Sequence, residues 1–314
     1  MLTRRHIRVK VMQAVYAFSK ASEDNLSKQE KFINASSESM YDLYILMLSL
    51  LSEIRKLAAD RLKKSQKKYL ATEEDKDPNK KFVNNQLLQQ LSINRQLETE
   101  LEYRKLNNWK MDDEYVAIIW NELRESESYK SYMSTKETSY KEDKNFIISI
   151  YRDIIAPNDK LYEYFEDNKL TWLDDLPVVN TVVVKTLKQF GPKADESFYL
   201  PDLYKDEEDK EFAKELFRKT VLNDEKLLKE IEGKTPNWDK ERIADIDMVL
   251  LKMAICEFLN FPSIPIKVTI NEYLEIAKEY STPKSSVFIN GILDKLTKEY
   301  IENNKLNKSG RGLM

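Results

Sequence analysis

Residues 236–302 read PNWDKERIADIDMVLLKMAICEFLNFPSIPIKVTINEYLEIAKEYSTPKSSVFINGILDKLTKEYIE. Apolar residues return every three or four positions, and the interruptions are helix punctuation. One helix is predicted over about 239–259, stopped by Asn260-Phe261-Pro262. A second, over about 266–280, enters through Pro265, whose fixed φ and missing N–H suit a first turn. A third, over about 283–302, enters through Ser281-Thr282-Pro283.

Outward from this stretch the same period persists. Ile7, Val11, Ala14, Val15 and Phe18 share one face of a helix over 4–20, with Thr3 as its N-cap. Leu43, Leu46, Met47, Leu50, Leu51, Ile54 and Leu57 give a wide apolar stripe over about 39–68. Residues 70–80 are polar and end in the loop signal Asp77-Pro78-Asn79. Helices over about 82–107 and 112–133 follow, then a charged, turn-like stretch at 134–144. Only five glycines occur in 314 residues. Strand-and-turn architectures are poorly served by that composition, and the fold class is all-α.

The chain also resembles itself. A shift of 66 positions matches Glu142, Asp143, Lys144 and Phe146 to Glu208, Asp209, Lys210 and Phe212, and Trp172 to Trp238. A one-residue slip then aligns Val183-Val184-Lys185 with Leu250-Leu251-Lys252. Two readings stand: chance likeness of charged helices, or a duplicated helix–loop–Trp–helix unit whose first copy, at 142–190, is a degenerate scaffold.

Composition narrows the chemistry. Hydrophobic residues make up 41% and charged residues 33%, with both signs mixed, as in a folded, water-soluble chain. No apolar run approaches the ~20 residues of a membrane span, and the basic, interrupted start is unlike a signal peptide, so a cytoplasmic location is expected. Gly191, Gly233 and Gly291 are too scattered for a phosphate-binding loop. With one histidine, His6, and one cysteine, Cys256, neither a Cys/His metal site nor a Cys/His nucleophile pair can be written, and Cys256 reads as a core thiol. No cofactor, no metal and no catalytic residue are expected.

The net charge of -3 hides a local excess: residues 1–20 hold Arg4, Arg5, Arg8, Lys10 and Lys20 and no acid. Arginines at a helix N-terminus oppose the dipole by ~0.3–1 kcal/mol each. Either they form a solvated basic face, or an anion reverses the sign, since helix N-termini and arginines both donate to phosphate oxygens. Tyr16 falls near Arg5 on the helical wheel, and arginine beside an aromatic suits single-stranded RNA. In the last helices Gly291 costs ~1 kcal/mol relative to Ala, which close approach of another helix would justify. Asn271 and Asn290 read as polar groups bonding across a helix junction.

These strings resemble the NusB family. Arg4-Arg5-His6-Ile7-Arg8 through Gln13-Ala14-Val15-Tyr16 resembles its arginine-rich first helix, and Arg242-Ile243-Ala244-Asp245-Ile246-Asp247 its middle element. Lys267-Val268-Thr269-Ile270-Asn271-Glu272 and Phe288-Ile289-Asn290-Gly291-Ile292-Leu293-Asp294-Lys295 resemble two further signatures, all four in family order. The resemblance implies a helical bundle of two subdomains, here with a large inserted helical region. On that reading residues 1–20 are the first helix, 21–205 the insertion, 206–302 the C-terminal helical part and 303–314 a basic flexible tail.

It further implies a non-catalytic transcription antitermination factor. Such a factor binds boxA RNA of ribosomal RNA operons with the ribosomal protein NusE and joins the RNA polymerase elongation complex indirectly. Arg4, Arg5, Arg8, Lys10, Tyr16 and Lys284 would face RNA, with Phe288 either a base-contacting aromatic or a core residue. Asp247 and Glu257 would face NusE, and Asn271, Asn290 and Gly291 are structural signatures. Lys284 departs from the family, which commonly shows a glycine followed by acidic residues there. NusB-like domains fused to methyltransferases carry a glycine-rich cofactor loop that this chain lacks. The remaining alternative is a helical scaffold whose inserted region binds another partner.

Overall fold

The structure is a computed structural model that describes residues 1–21, 25–67, 77–232, 234 and 243–313. Pro236, Trp238 and Arg242 lie outside the described residues. No strand occurs among the residues described, and the chain forms two compact units, Met1–Ser37 with Leu203–Met314, and Glu38–Asp202.

The first unit is built from α1 (Arg4–Lys20), the opening turns of α2 (Leu26–Gln66), α11 (Glu207–Leu222), α12 (Asp224–Ile231), α13 (Asp245–Asn260), α14 (Ile266–Tyr280) and α15 (Ser285–Glu302). Its axis is α13. Val249, Leu250, Leu251, Met253, Ala254, Ile255, Cys256 and Phe258 are all buried, as expected of a helix apolar on every side. Around it pack α1, α11, α12, α14 and α15. The four residues between α14 and α15 fold these helices back on one another as a hairpin. Burial raises the Cys256 thiol to about 11, so it is a core group with little thiolate at neutral pH.

After α15 the chain does not run free. Lys308 donates to the carbonyls of Glu257 and Phe261 at 3.3 and 3.0 Å, capping the end of α13, and Ser309 N–H donates to Pro262 O at 3.1 Å. A short 3-10 turn, Gly310–Leu313, follows, with Gly312 buried. The expected flexible tail is therefore, over these residues, a strap folded onto the corner after α13.

The second unit holds the rest of α2, then α3 (Gln86–Ser92), α4 (Arg95–Tyr103), α5 (Asn108–Met111), α6 (Asp113–Glu125), α7 (Glu127–Met133), α8 (Tyr140–Ile150), α9 (Asp159–Asn168) and α10 (Thr171–Gln189). The continuous helices predicted over 82–107 and 112–133 are each broken once. Asn94 accepts from Leu97 N–H, and Ser126 accepts from Tyr129 N–H, so each residue starts a new helix by N-capping. Buried Asp143 accepts from Gln86 N–H and from the hydroxyls of Tyr132 and Thr138, which ties α8 to the start of α3.

Helix order within this unit echoes the first. A long helix, α8 extended by a π turn at Tyr151–Ile155, a short α9 and a long α10 run in the sequence of α11, α12 and α13. At the 66-residue shift Asp143, Phe146, Ile150 and Tyr151 are buried, as are Asp209, Phe212, Leu216 and Phe217.

Candidate nucleic-acid interface

Thr3 caps α1, and the first turn carries two arginines and no acid, the wrong sign for the helix dipole. Three other helices provide the anions. Arg4 Nε donates to Asp209 at 2.8 Å and its Nη2 to Glu208 at 2.6 Å, both in the first turn of α11. Arg5 donates through Nε and Nη2 to the Glu272 carboxylate of α14 at 3.0 and 2.8 Å. Arg8 does the same to Glu257 of α13 at 2.8 and 2.7 Å, and its Nη1 lies 3.8 Å from Glu272. Burial opposes the charges on Arg4 and Arg8, and the facing carboxylates outweigh it, so both pKa values rise. The anion inferred from the sequence is thus, in the first instance, part of the chain itself.

The three pairs differ in exposure. Arg8 and Glu257 side chains are 2% and 0% exposed, whereas Arg4 and Arg5 are 29% and 41% exposed. Arg8 is therefore a bundle-locking residue rather than an RNA-facing one. Arg4 and Arg5 each use Nε and Nη2 in these pairs, and Nη1 of each takes part in no hydrogen bond among the described residues.

His6 completes the turn. Its Nδ1 accepts from Thr3 N–H at 3.2 Å, the role a glutamate plays in a capping box. Burial, with the Arg5 charge beside it, holds the imidazole down at about 4, which keeps it a neutral acceptor. Arg4, Arg5, His6, Val268, Glu272 and Arg311 line an open groove of about 680 Å³ at this end of the unit.

Other expected site residues fall elsewhere. Tyr16 is half-buried with the Lys20 ammonium 5.8 Å from its ring centre, and Lys10 is buried, which removes it from a surface role. Asp247 is buried and accepts from Ser281 and Ser285 hydroxyls at 2.6 and 2.7 Å, so it pins the α14–α15 turn. With Glu257 also fully buried, neither acid forms an exposed docking face. Lys284 is exposed and Phe288 half-buried. Asn271 is exposed, and Asn290 bonds Asp294 along its own helix at 3.0 Å, so neither bridges a helix junction. Gly291 is exposed, and a Cβ there would meet nothing within 4 Å, which overturns close helix approach as its reason.

The NusB family model matches residues 179–298. A relative from Salinibacter ruber is 44% identical over 112 residues, covering 36% of this chain and 70% of that protein. One from Chloroherpeton thalassium is 42% identical over 113 residues, 36% of this chain and 54% of the relative. A third, from Koribacter versatilis, is 38% identical over 112 residues, 36% of this chain and 77% of the relative. Each is named transcription antitermination protein NusB. The chain belongs to the NusB family.

The NusB match contains all four carboxylates that receive the α1 arginines: Glu208, Asp209, Glu257 and Glu272. The arginines precede the matched region and dock back onto it. Sequence reasoning had weighed these arginines against solvent or an external anion and had missed Glu208, Asp209 and Glu272. The available signal was the sign conflict at the helix start, since such a conflict calls for an anion from somewhere in the fold. Arg311 was also missed, because a basic tail gives no hint of where it will pack.

Proposed function

We propose that the first unit binds single-stranded, boxA-like RNA of ribosomal RNA operons together with the ribosomal protein NusE, and so acts in transcription antitermination. Membership of the NusB family supports this reading, as do the names of the relatives. The observation that carries it is the pair of partly exposed guanidinium groups, Arg4 and Arg5, held by carboxylates through Nε and Nη2 while both side chains line the groove. A phosphate placed there meets donors whose side-chain entropy is already lost, which favours binding. Tyr16, with exposed Lys284 and half-buried Phe288, adds aromatic and cationic groups on the same unit. RNA polymerase would be reached through the assembled complex, and no catalytic step is assigned.

The test is a titration of a labelled boxA RNA at two salt concentrations with the wild type, Arg4→Ala and Arg5→Ala. Each variant is expected to weaken binding and to lower the salt slope by about 0.7. Equal affinity and slope across all three proteins would remove Arg4 and Arg5 from the interface, and absence of RNA binding by the wild type would remove the proposal. A pull-down of NusE with and without the RNA tests the protein partner.

A further inference from the structure

We propose that the strap formed by residues 305–313 is a working wall of the groove and that Arg311 is a phosphate-binding residue for the RNA. This inference rests on the RNA-binding reading above. Arg311 is exposed, makes no ion pair among the described residues, and lines the groove with Arg4, Arg5 and His6. Its charge also acts on Glu208, the exposed carboxylate bonded to Arg4.

The strap is specified in several independent ways. Lys308 is drawn in to cap the last carbonyls of α13, although burial lowers its pKa. Ser309 N–H is bonded to Pro262 O. Gly310 has φ +53, a left-handed conformation that side chains disfavour. Gly312 sits so close to the corner after α13 that a Cβ would lie 1.9 Å from Pro262 O, a backbone atom that cannot swing aside. Gly312 thus stands where only glycine fits, and Gly310 where the backbone favours it. The residue between them is the arginine facing the groove.

Rigid placement matters because a phosphate bound by a free tail must first order that tail, whereas a docked Arg311 presents its donors in place. One strand could then lie between Arg311 on one side and Arg4 and Arg5 on the other. Of the acidic side chains at this end, Glu208, Asp209 and Glu272 are each held by an arginine, and Glu275, whose charge also acts on Arg5, is paired with Lys278.

The experiment uses the full chain and a short fluorescein-labelled single-stranded boxA RNA, with wild type, Arg311→Ala, Gly312→Val and the double variant. Arg311→Ala is expected to weaken binding about fivefold and lower the salt slope by about 0.7. Gly312→Val is expected to weaken it at least as much by lifting the strap, and Arg311→Ala added to it should change little further. Limited trypsin digestion reads the strap directly: cleavage after Lys308 should be slow in the wild type and fast in Gly312→Val. If the wild type binds RNA but Arg311→Ala binds with the same affinity and slope, the inference is overturned while the RNA-binding reading stands. Equal cleavage after Lys308 in wild type and Gly312→Val overturns the rigid strap. If the wild type does not bind RNA, both fall.

Discussion

Arg8 and Glu257 meet through two parallel N–H···O bonds of 2.8 and 2.7 Å inside the helical bundle, with almost no surface left to either side chain. Thr269 and Tyr273 hydroxyls donate to the same carboxylate at 2.6 and 3.3 Å, so a buried charge pair on α1 and α13 also gathers α14. Removing one partner strands a charge in the core, at a cost of about 3–5 kcal/mol. Arg8→Met should therefore lower stability by that amount in urea unfolding. Arg8→Met with Glu257→Leu should recover part of the loss, because the pair becomes apolar but two hydroxyls lose their acceptor. A double variant no more stable than Arg8→Met would show that the ion pair is not what the core requires.

His6 gives the fold an acid-sensitive contribution of definite sign. Its folded pKa is about 4 against about 6.5 unfolded, so between those values the unfolded chain binds more protons. Stability from this group is complete above pH 6.5 and declines as pH falls towards 4, by roughly 2 kcal/mol once partial solvent screening is allowed for. His6→Gln keeps an acceptor for Thr3 N–H and has no proton to gain. The stability difference between wild type and His6→Gln should shift by about that amount between pH 7 and 4.5. Parallel pH profiles would mean that His6 is not held neutral by the fold.

Helices and core were legible in the sequence because burial imposes a period. The α13 run Val249-Leu250-Leu251 and the stripe of α1 could face only inward. What escaped was long-range pairing. Arg5 and Glu272 lie 267 positions apart, and no local pattern says which acid among 54 acidic residues will meet which arginine. Asp247 and Glu257 were expected to face NusE from the family resemblance alone, which carries no information on their burial in this chain. Their true surroundings, Ser281 and Ser285 for Asp247 and Arg8, Thr269 and Tyr273 for Glu257, come from other parts of the chain. Gly291 misled for a related reason: a glycine in a helix suggests a close neighbour, and the described residues place none within 4 Å of where its Cβ would be.

Asp247 governs the turn that carries Lys284. It accepts from Ser281 at the end of α14 and from Ser285 at the start of α15, and Ser285 Oγ in turn accepts from Thr282 N–H at 3.2 Å. Asp247→Ala removes the charged acceptor of both hydroxyls, leaving them each other at 3.0 Å and Thr282 Oγ1 2.8 Å from Ser285 Oγ, and should cost about 2 kcal/mol. Asp247→Asn can serve one serine as acceptor and the other as donor, and should cost about half as much. Hydrogen exchange at Thr282 should quicken in Asp247→Ala. An unchanged rate would show that the turn holds its shape without the carboxylate.

Gly291 lies inside α15, exposed, with open space where a Cβ would be. Nothing among the described residues compensates the ~1 kcal/mol that glycine costs a helix relative to alanine. Gly291→Ala should accordingly stabilise the fold by about 0.5–1 kcal/mol in urea unfolding. A partner backbone or RNA strand that approaches the helix at this point would need the methyl group to be absent. Exposed Val287, one helical turn earlier, extends the same face with an apolar contact. Gly291→Ala should then weaken NusE or RNA capture while raising stability, a combination that misfolding cannot produce. Should the variant gain stability and bind both with wild-type affinity, this face of α15 is not a contact surface, and the glycine has no role in binding.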